Sequence, residues 1–218
     1  MLSLYYGSDF EDVQVGIDEA GRGCFSGPVV AAAVIWDNRW LVENANSYPE
    51  LNKIKDSKKI TKKNRDILFD FIKEHAIDYS ISFVDNDVID DINILNATYK
   101  AMHNALDGLY KSDFSRILVD GSNFKTYLSK KVDCFIVPHY CVTGGDNMYI
   151  NIASASILAK VSRDRYIEQL CIDKPEYDEK YDWTNNKGYG TSNHLQGIHM
   201  HGITPLHRKT FGICKLYT

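Results

Sequence analysis

Apolar residues recur at every second position in several short stretches of the chain, which is the period of a half-buried β-strand. In the first stretch, Val13, Val15 and Ile17 alternate with more polar residues. The predicted strands cover residues 13–18, 29–36, 79–84, 116–119 and 133–137. A short glycine-rich turn separates the first two strands, so we expect them to pair as a hairpin or meander.

Three longer segments follow the helical period of 3.6 residues. The predicted helices cover residues 62–75, with Thr61 as the N-cap, 94–109 and 149–170. Small residues are frequent in the third helix, which allows it to lie close against a sheet. The order of strands and helices predicts an α/β domain over residues 1–171.

The chain changes character after residue 171, where Tyr, His, Asn and Gly become frequent and strand patterns disappear. We expect a loop at residues 183–189, a short helix at 192–200 capped by Thr191, and a further helical turn at 205–211. Residues 172–218 therefore form a predicted helical segment that is appended to the α/β domain.

Composition restricts the class of protein. The chain has 218 residues, of which 44% are apolar, and a net charge of −4, so affinity for polyanions must come from local patches or from metals. It has no signal-peptide pattern and no apolar run of membrane-spanning length. Five scattered cysteines with no CxxC spacing predict free thiols in a reducing compartment, by default the cytoplasm.

Carboxylates follow two of the predicted strands. Asp18 and Glu19 end the first strand, and Asp120 ends the strand at 116–119. Asp164 lies in the third predicted helix, one turn after Lys160. If these four acids converge, they favour Mg²⁺ or Mn²⁺ over zinc, and two such ions can support phosphodiester hydrolysis. Each acid alone is equally compatible with a helix cap, a turn or a surface charge.

Two further features suit a polyanionic ligand. Gly21 and Gly23 flank Arg22, so the turn allows close approach to the main chain and carries a cation for phosphate. Lysines are dense between residues 53 and 63, including Lys58, which suits phosphate steering and equally a solvated helix start.

Taken together, these motifs resemble the type 2 ribonucleases H, the ribonuclease HII family. The resemblance begins with GIDEAGRGCFSGPVVAAAVI at residues 16–35 and continues through Asp56-Ser57-Lys58. It extends to IDDINILNATYKAMHNAL (89–106), LVDGS (118–122), GGDNMYINIASASILAKVSRD (144–164), KGYGT (187–191) and HRKTF (207–211). The motifs occur in family order and span nearly the whole chain.

The resemblance implies a ribonuclease H-like fold, with a mixed five-stranded sheet flanked by helices and a C-terminal helical segment that completes the substrate cleft. It implies cleavage of RNA in RNA–DNA hybrids and incision 5′ of ribonucleotides embedded in duplex DNA, leaving 5′-phosphate and 3′-hydroxyl ends. The family's metal-binding acids match Asp18, Glu19, Asp120 and Asp164. Its substrate-binding residues match Gly21, Arg22, Gly23 and Tyr189, with Lys58 as an expected phosphate contact.

Two other classes of function are compatible with the chain. One is a nucleic-acid-binding module of this fold that no longer cleaves, and the other is a two-metal DNA nuclease or integrase. No sliding-clamp peptide is evident, and we expect a monomer. Four histidines near the C-terminus have no thiol partner at zinc spacing, so we expect them on the surface or facing substrate: His194, His199, His201 and His207.

Overall fold

A mixed five-stranded sheet forms the centre of the molecule in the computed structural model, which describes residues 2–129 and 135–217. The strands of this sheet are β1 (Gln14–Ala20), β2 (Val29–Ile35), β3 (Asp78–Val84), β4 (Arg116–Asp120) and β7 (His139–Val142), in the order β3-β2-β1-β4-β7. β5 (Tyr127–Leu128) and β6 (Ile136–Val137) form a separate two-stranded ribbon. β2 pairs antiparallel with β1 and β3, whereas β1, β4 and β7 are parallel.

Helices cover both faces of the sheet because its central strands are apolar on both sides. Along β2, Val30, Ala32 and Val34 pack with the helices at 62–75 and 150–173, while Ala31 and Ala33 pack with the helix at 86–107 on the other face. The helices are α1 (Asn38–Asn44), α2 (Lys62–His75), α3 (Asn86–Asp107), α4 (Ile150–Asp173), α5 (Pro175–Tyr181), α6 (Trp183–Asn186) and α7 (Ser192–His201).

α4 crosses β1 at very short range, as the small residues of this helix predict. A Cβ added to Gly16 would lie 2.3 Å from the backbone carbon of Asn151, so only glycine fits at the crossing. Ser154 lies inside the same interface, where it accepts a hydrogen bond from Trp36 Nε1 at 2.9 Å and donates to the Ile150 carbonyl. The close contact places the middle of α4 beside the end of β1.

The C-terminal helices pack around a third apolar cluster that includes Tyr181, Trp183 and Ile198. α4 continues to Asp173, so it contributes Ile167 and Cys171 to this cluster. No helix among residues 2–129 and 135–217 is long and apolar enough to span a membrane.

Several predicted elements differ from those observed. α3 begins at Asn86, eight residues before the expected start, and Asn93 interrupts it with φ 65°. The side chain of Asn93 accepts hydrogen bonds from the backbone N–H groups of Leu95 and Asn96, so it caps the half of the helix that the pattern predicted.

Other differences concern short elements. The predicted strand at 133–137 appears only as β6, and residues 133 and 134 lie outside the described residues. The pattern missed α1, β5, β7, α5 and α6, the last of which occupies part of the predicted loop at 183–189. The expected helical turn at 205–211 is instead a turn without helix, and a 3-10 helix follows at Gly212–Tyr217.

Candidate active site

Three of the predicted acids meet at one edge of the sheet. β1 and β4 run parallel with Ile17 opposite Val119, so Asp18 and Asp120 are the next residues along the two strands. Glu19 follows directly, and all three side chains line a cavity of about 560 Å³. The other lining residues are Ala20, Gly21, Arg22, Gly23, Ser57, Lys58, Ser156, Lys160 and Tyr189.

Burial and mutual repulsion make these carboxylates costly in their charged form. Burial raises the pKa of Asp18 well above its usual value, and the charges of Glu19 and Asp120 raise it further. Burial also raises the pKa of Glu19. The Arg22 guanidinium, 3.2 Å from Glu19 Oε1, acts in the opposite direction and lowers that pKa. Asp120 Oδ1 is buried and has no hydrogen-bond partner among the described residues. A site with this balance of charge favours binding of a cation.

A backbone amide orients Asp18, and a serine of α4 lies beside it. The carboxylate accepts a hydrogen bond from the Glu19 N–H at 2.7 Å, and the neighbouring Ser156 hydroxyl lowers the pKa of Asp18. Ser156 Oγ lies 3.0 Å from Ser57 Oγ, so α4 and the loop that carries Lys58 are joined directly behind the acid. These serines explain how the Asp56-Ser57-Lys58 motif is held against the cavity.

Asp146 is a fourth acid of this region, and sequence reasoning did not select it. It follows β7, the strand parallel to β4, and its side chain is almost fully buried. Burial raises the pKa of Asp146, and the charges of Asp120 and Asp56 raise it further, which places these carboxylates close together. A strand-end acid beside glycines was the available signal, but it required β7 to be recognised as a strand.

The structure does not bring Asp164 into the cavity. Its carboxylate forms a 2.8 Å ion pair with Lys160 and lines a separate small crevice with residues of α2. Ser156, the α4 residue that contacts Asp18, lies eight residues before Asp164, which is about 12 Å along a helix. Lys160 lines the cavity in place of the predicted acid.

Two buried arginines hold the Gly-Arg-Gly turn (residues 21–23) in place. Arg208 donates from its three guanidinium nitrogens to the carbonyls of Gly21, Arg22 and Gly27 at 2.8–3.0 Å. Arg163 supports the following residues in the same way, through the carbonyls of Ser26, Pro28 and Lys187. We call these two side chains the arginine clamp.

The clamp requires glycine at the first position of the turn. Gly21 has φ +92°, and a Cβ there would lie 2.1 Å from Arg163 Nε. Arg22 in contrast projects outward, with half of its side chain exposed. The turn therefore presents a fixed backbone and one adjustable cation to the cavity.

Tyr189 reaches the cavity from the C-terminal segment and forms the wall opposite the acids' strands. Its ring lies 5.7 Å from Lys160 Nζ and 5.8 Å from the guanidinium carbon of Arg163, and 39% of the residue is exposed. An isolated antiparallel bridge joins its backbone to Cys24. Lys58 also lines the cavity. Each predicted substrate-binding residue thus lies at this one site.

The histidines divide into two groups. His199 and His201 are exposed, as expected, but His194 and His207 are fully buried, so the surface prediction was wrong for these two. Their Nε2 atoms are 3.0 Å apart, and Trp183 Nε1 donates to His194 Nε2 at 3.0 Å.

The described cysteines are free thiols, as predicted: Cys24, Cys141, Cys171 and Cys214. Cys134 lies outside the described residues.

Stability is expected to fall in acid because of His207. Burial and the neighbouring His194 lower the pKa of His207 to about 3, below the ordinary value of about 6.5. Between these values only the unfolded chain binds the proton, so stability is full above pH 6.5 and decreases as pH falls. The free energies of unfolding of wild type and His207→Gln can be measured in urea at pH 7 and pH 4. The difference between the two proteins should be roughly 3 kcal/mol smaller at pH 4 than at pH 7.

The control for this measurement is His201→Gln, which changes an exposed histidine. Its stability should follow that of wild type at both pH values. A His207→Gln protein that loses stability in parallel with wild type between pH 7 and 4 would contradict the expectation.

Comparison with known proteins agrees with the geometry. The family model for ribonuclease HII matches residues 15–214. The ribonuclease HII of Cytophaga hutchinsonii is 44% identical over 199 residues, which are 91% of this chain and 89% of that protein. Ribonuclease H2 from Pyrococcus horikoshii has a similar structure, with a TM-score of 0.70 and 25% identity over 94% of this chain and 96% of that one.

A Mn²⁺ complex of Bst-RNase HIII is also similar, with a TM-score of 0.61 over 87% of this chain and 70% of that one. At 18% identity it supports the fold alone. The predicted ribonuclease H-like fold is thereby confirmed. The chain belongs to the ribonuclease HII family and is a type 2 ribonuclease H, an endonuclease of the hydrolase class.

Proposed function

We propose that this enzyme cleaves RNA in RNA–DNA hybrids and incises 5′ of ribonucleotides embedded in duplex DNA, leaving 5′-phosphate and 3′-hydroxyl ends. One observation carries the proposal: a single cavity joins strand-end carboxylates to the clamped Gly-Arg-Gly turn and to Tyr189. The acids supply a centre for hydrolysis, while the turn and the tyrosine supply a surface that can distinguish a ribose from a deoxyribose.

The donor set fits a hard divalent cation. We call four acids the acid cluster: Asp18, Glu19, Asp120 and Asp146. They offer only oxygen ligands, and Asp120 Oδ1 is buried without a hydrogen-bond partner among the described residues. We propose that they would hold Mg²⁺ or Mn²⁺, two ions during catalysis, and that the bound ions would supply activation of a water and stabilisation of the leaving oxygen. Asp164, matched by resemblance, is the less favourable candidate because its carboxylate is paired with Lys160 and lines a separate crevice.

The acids must turn toward each other before they share an ion. Within residues 2–129 and 135–217, no three carboxylate, imidazole or thiolate groups form a ready-made metal site. Glu19 is held by Arg22, and Asp146 Oδ1 accepts from Asn147 Nδ2 at 2.8 Å. A substrate phosphate that attracts Arg22 would release Glu19, so binding of substrate and organisation of the acids would support each other.

Basic side chains around the cavity suit the phosphate backbone. Lys58 and Lys160 line the walls, and Arg22 is half exposed at the rim. Tyr189 offers part of its ring for packing against a sugar, while the clamp keeps the turn rigid. In this proposal, the segment at 172–218 completes the cleft through Tyr189, and the enzyme acts as a monomer.

Cleavage of three labelled duplexes tests the proposal directly. We expect Mg²⁺- or Mn²⁺-dependent incision on the 5′ side of one ribonucleotide in DNA, cleavage throughout a long RNA–DNA hybrid, and no cleavage of all-DNA duplex. Chelator should abolish both activities. Binding without cleavage of either RNA-containing duplex would favour the silent module, and cleavage of all-DNA duplex would favour the nuclease or integrase alternative.

Tyr189→Ala is expected to separate the two activities. The ring contributes to recognition at a single ribose, so kcat/KM on the single-ribonucleotide duplex should fall about tenfold more than on the long hybrid, where neighbouring riboses provide further contacts. Tyr110→Ala is the matched control, because Tyr110 is 76% exposed and does not line the cavity. Equal losses on both substrates would remove Tyr189 from the recognition of the ribonucleotide.

A further inference from the structure

A buried pair of histidines lies directly behind the only residue of the described C-terminal segment that lines the active-site cavity. That residue is Tyr189, and the pair is His194 and His207. We propose that His194 is a positioning residue, which fixes the backbone of Tyr189 and thereby the selectivity for single ribonucleotides, and that His207 holds His194 in the required tautomer. This inference rests on the proposed role of Tyr189.

The hydrogen bonds determine which nitrogen of His194 carries the proton. Nδ1 lies 2.9 Å from the Tyr189 carbonyl oxygen, which can only accept, so Nδ1 must be the donor. In the neutral ring Nε2 is then an acceptor. It receives the Trp183 Nε1–H, which can only donate, at 3.0 Å.

His207 completes this pattern with the opposite tautomer. Its Nδ1 accepts the backbone N–H of Thr204 at 2.9 Å, so its proton resides on Nε2. That Nε2–H points to His194 Nε2, 3.0 Å away. Every ring nitrogen of the two histidines therefore has a partner of the correct sense, and His194 Nε2 shares its one lone pair between the Trp183 and His207 N–H groups.

The network ends on Tyr189 and restrains its main chain from two sides. The Tyr189 carbonyl accepts from His194 and also from the Thr191 N–H at 2.8 Å, while the Tyr189 N–H donates to the Asn186 carbonyl at 2.9 Å. A residue with both backbone groups bonded keeps its Cα–Cβ bond in a fixed direction, so the Tyr189 side chain always starts toward the cavity from the same point. Apolar side chains could fill the same interior without the cost of burying four polar atoms, so the directed bond to Tyr189 offers a reason for histidine here.

Two substitutions at His194 separate positioning from stability. In His194→Asn, the amide nitrogen occupies the place of Nδ1 and keeps a donor for the Tyr189 carbonyl, but Trp183 and His207 lose their acceptor. In His194→Gln, the side-chain oxygen reaches the place of Nε2 and keeps that acceptor, but the donor to Tyr189 is lost. His194→Asn should therefore lower stability more, and His194→Gln should lower selectivity more.

The measurement is kcat/KM on the single-ribonucleotide duplex divided by kcat/KM on the long hybrid, together with the melting temperature of each variant. We expect His194→Gln to lower this ratio about fivefold to tenfold through KM, as loss of one buried hydrogen bond implies, and His194→Asn to lower it less than twofold. The lower melting temperature should belong to His194→Asn. Simple loss of stability cannot produce this crossed result.

A double mutant tests whether His194 acts through Tyr189. In a Tyr189→Ala background, His194→Gln should leave the ratio unchanged, because the side chain that it positions is absent. Nitrogen-15 NMR of labelled histidine should independently show one buried Nδ1–H ring and one buried Nε2–H ring in the wild type.

The outcomes distinguish this inference from the proposed function. If Tyr189→Ala leaves the ratio unchanged, the role of Tyr189 fails and this inference fails with it. If Tyr189→Ala lowers the ratio but His194→Gln and His194→Asn alter it equally or not at all, only the positioning role of His194 is overturned. Two rings of the same tautomer in the NMR spectrum would also overturn it.

Discussion

Asp120→Asn is expected to abolish most activity and at the same time raise the melting temperature of the metal-free protein. The charge of Asp120 raises the pKa of Asp18, Glu19 and Asp146, so its removal relieves repulsion with all three. Relief of about 1 kcal/mol corresponds to roughly 2–4 °C in a domain of this size. Loss of one oxygen ligand from a catalytic centre is expected to lower kcat about a hundredfold to a thousandfold.

Thermal melts with and without Mg²⁺ provide a readout that does not depend on activity. Added Mg²⁺ should raise the melting temperature of the wild type by mass action and raise that of Asp120→Asn much less. Asp91→Asn is a suitable control, since it removes an exposed acid that does not line the cavity. Melting temperatures that respond neither to the Asp120 substitution nor to Mg²⁺ would argue against a shared cation site.

Asp146→Asn should impair catalysis far more than Asp164→Asn. Asp146 is buried beside Asp120, whereas Asp164 forms an ion pair with Lys160 and faces a different crevice. We expect Asp146→Asn to lower kcat at least about a hundredfold, by the same reasoning as for Asp120, and Asp164→Asn to change kcat/KM by only a few fold. The paired substitutions remove the same charge from positions that differ in their neighbours, Asp120 for Asp146 and Lys160 for Asp164.

Steady-state cleavage of the long hybrid at saturating Mg²⁺ is the appropriate measurement. A melting temperature close to that of wild type for each variant is required, so that activity is compared between folded proteins. A larger loss in Asp164→Asn than in Asp146→Asn would restore the ligand set implied by resemblance and contradict the one that the geometry favours.

The elements with strong periodicity could be predicted from the sequence, and those without it could not. α2 runs over Lys62–His75 with Thr61 as its cap, as predicted, because its apolar face and its cap both have clear patterns. β7 was missed because it is a four-residue edge strand in which none of the residues is fully buried, so it shows no alternation. Without β7, nothing marked Asp146 as a fourth acid, after a third strand, at the same edge of the sheet.

The choice of Asp164 shows a different limit of sequence reasoning. Motif position assigned it to the site, but Asp164 lies about two helical turns beyond Ser156, the α4 residue beside Asp18. Ser156 contacts Asp18 and Lys160 lines the cavity, so Asp164 lies beyond the wall. The buried histidines were similarly invisible, because His194 and His207 are 13 residues apart and their contact depends on how α7 packs.

The arginine clamp also has a consequence for the order in which the molecule can fold. Gly21 and Arg22 are bonded to a side chain 187 and 186 residues later in the chain. Contacts of such sequence separation form late, after most loop-closure entropy has been lost. A nascent chain on the ribosome can assemble β1 and β2 long before residue 208 emerges. The Gly-Arg-Gly turn therefore acquires its final shape only after residue 208 has been made, so a shorter nascent chain has the acids of β1 but no fixed turn.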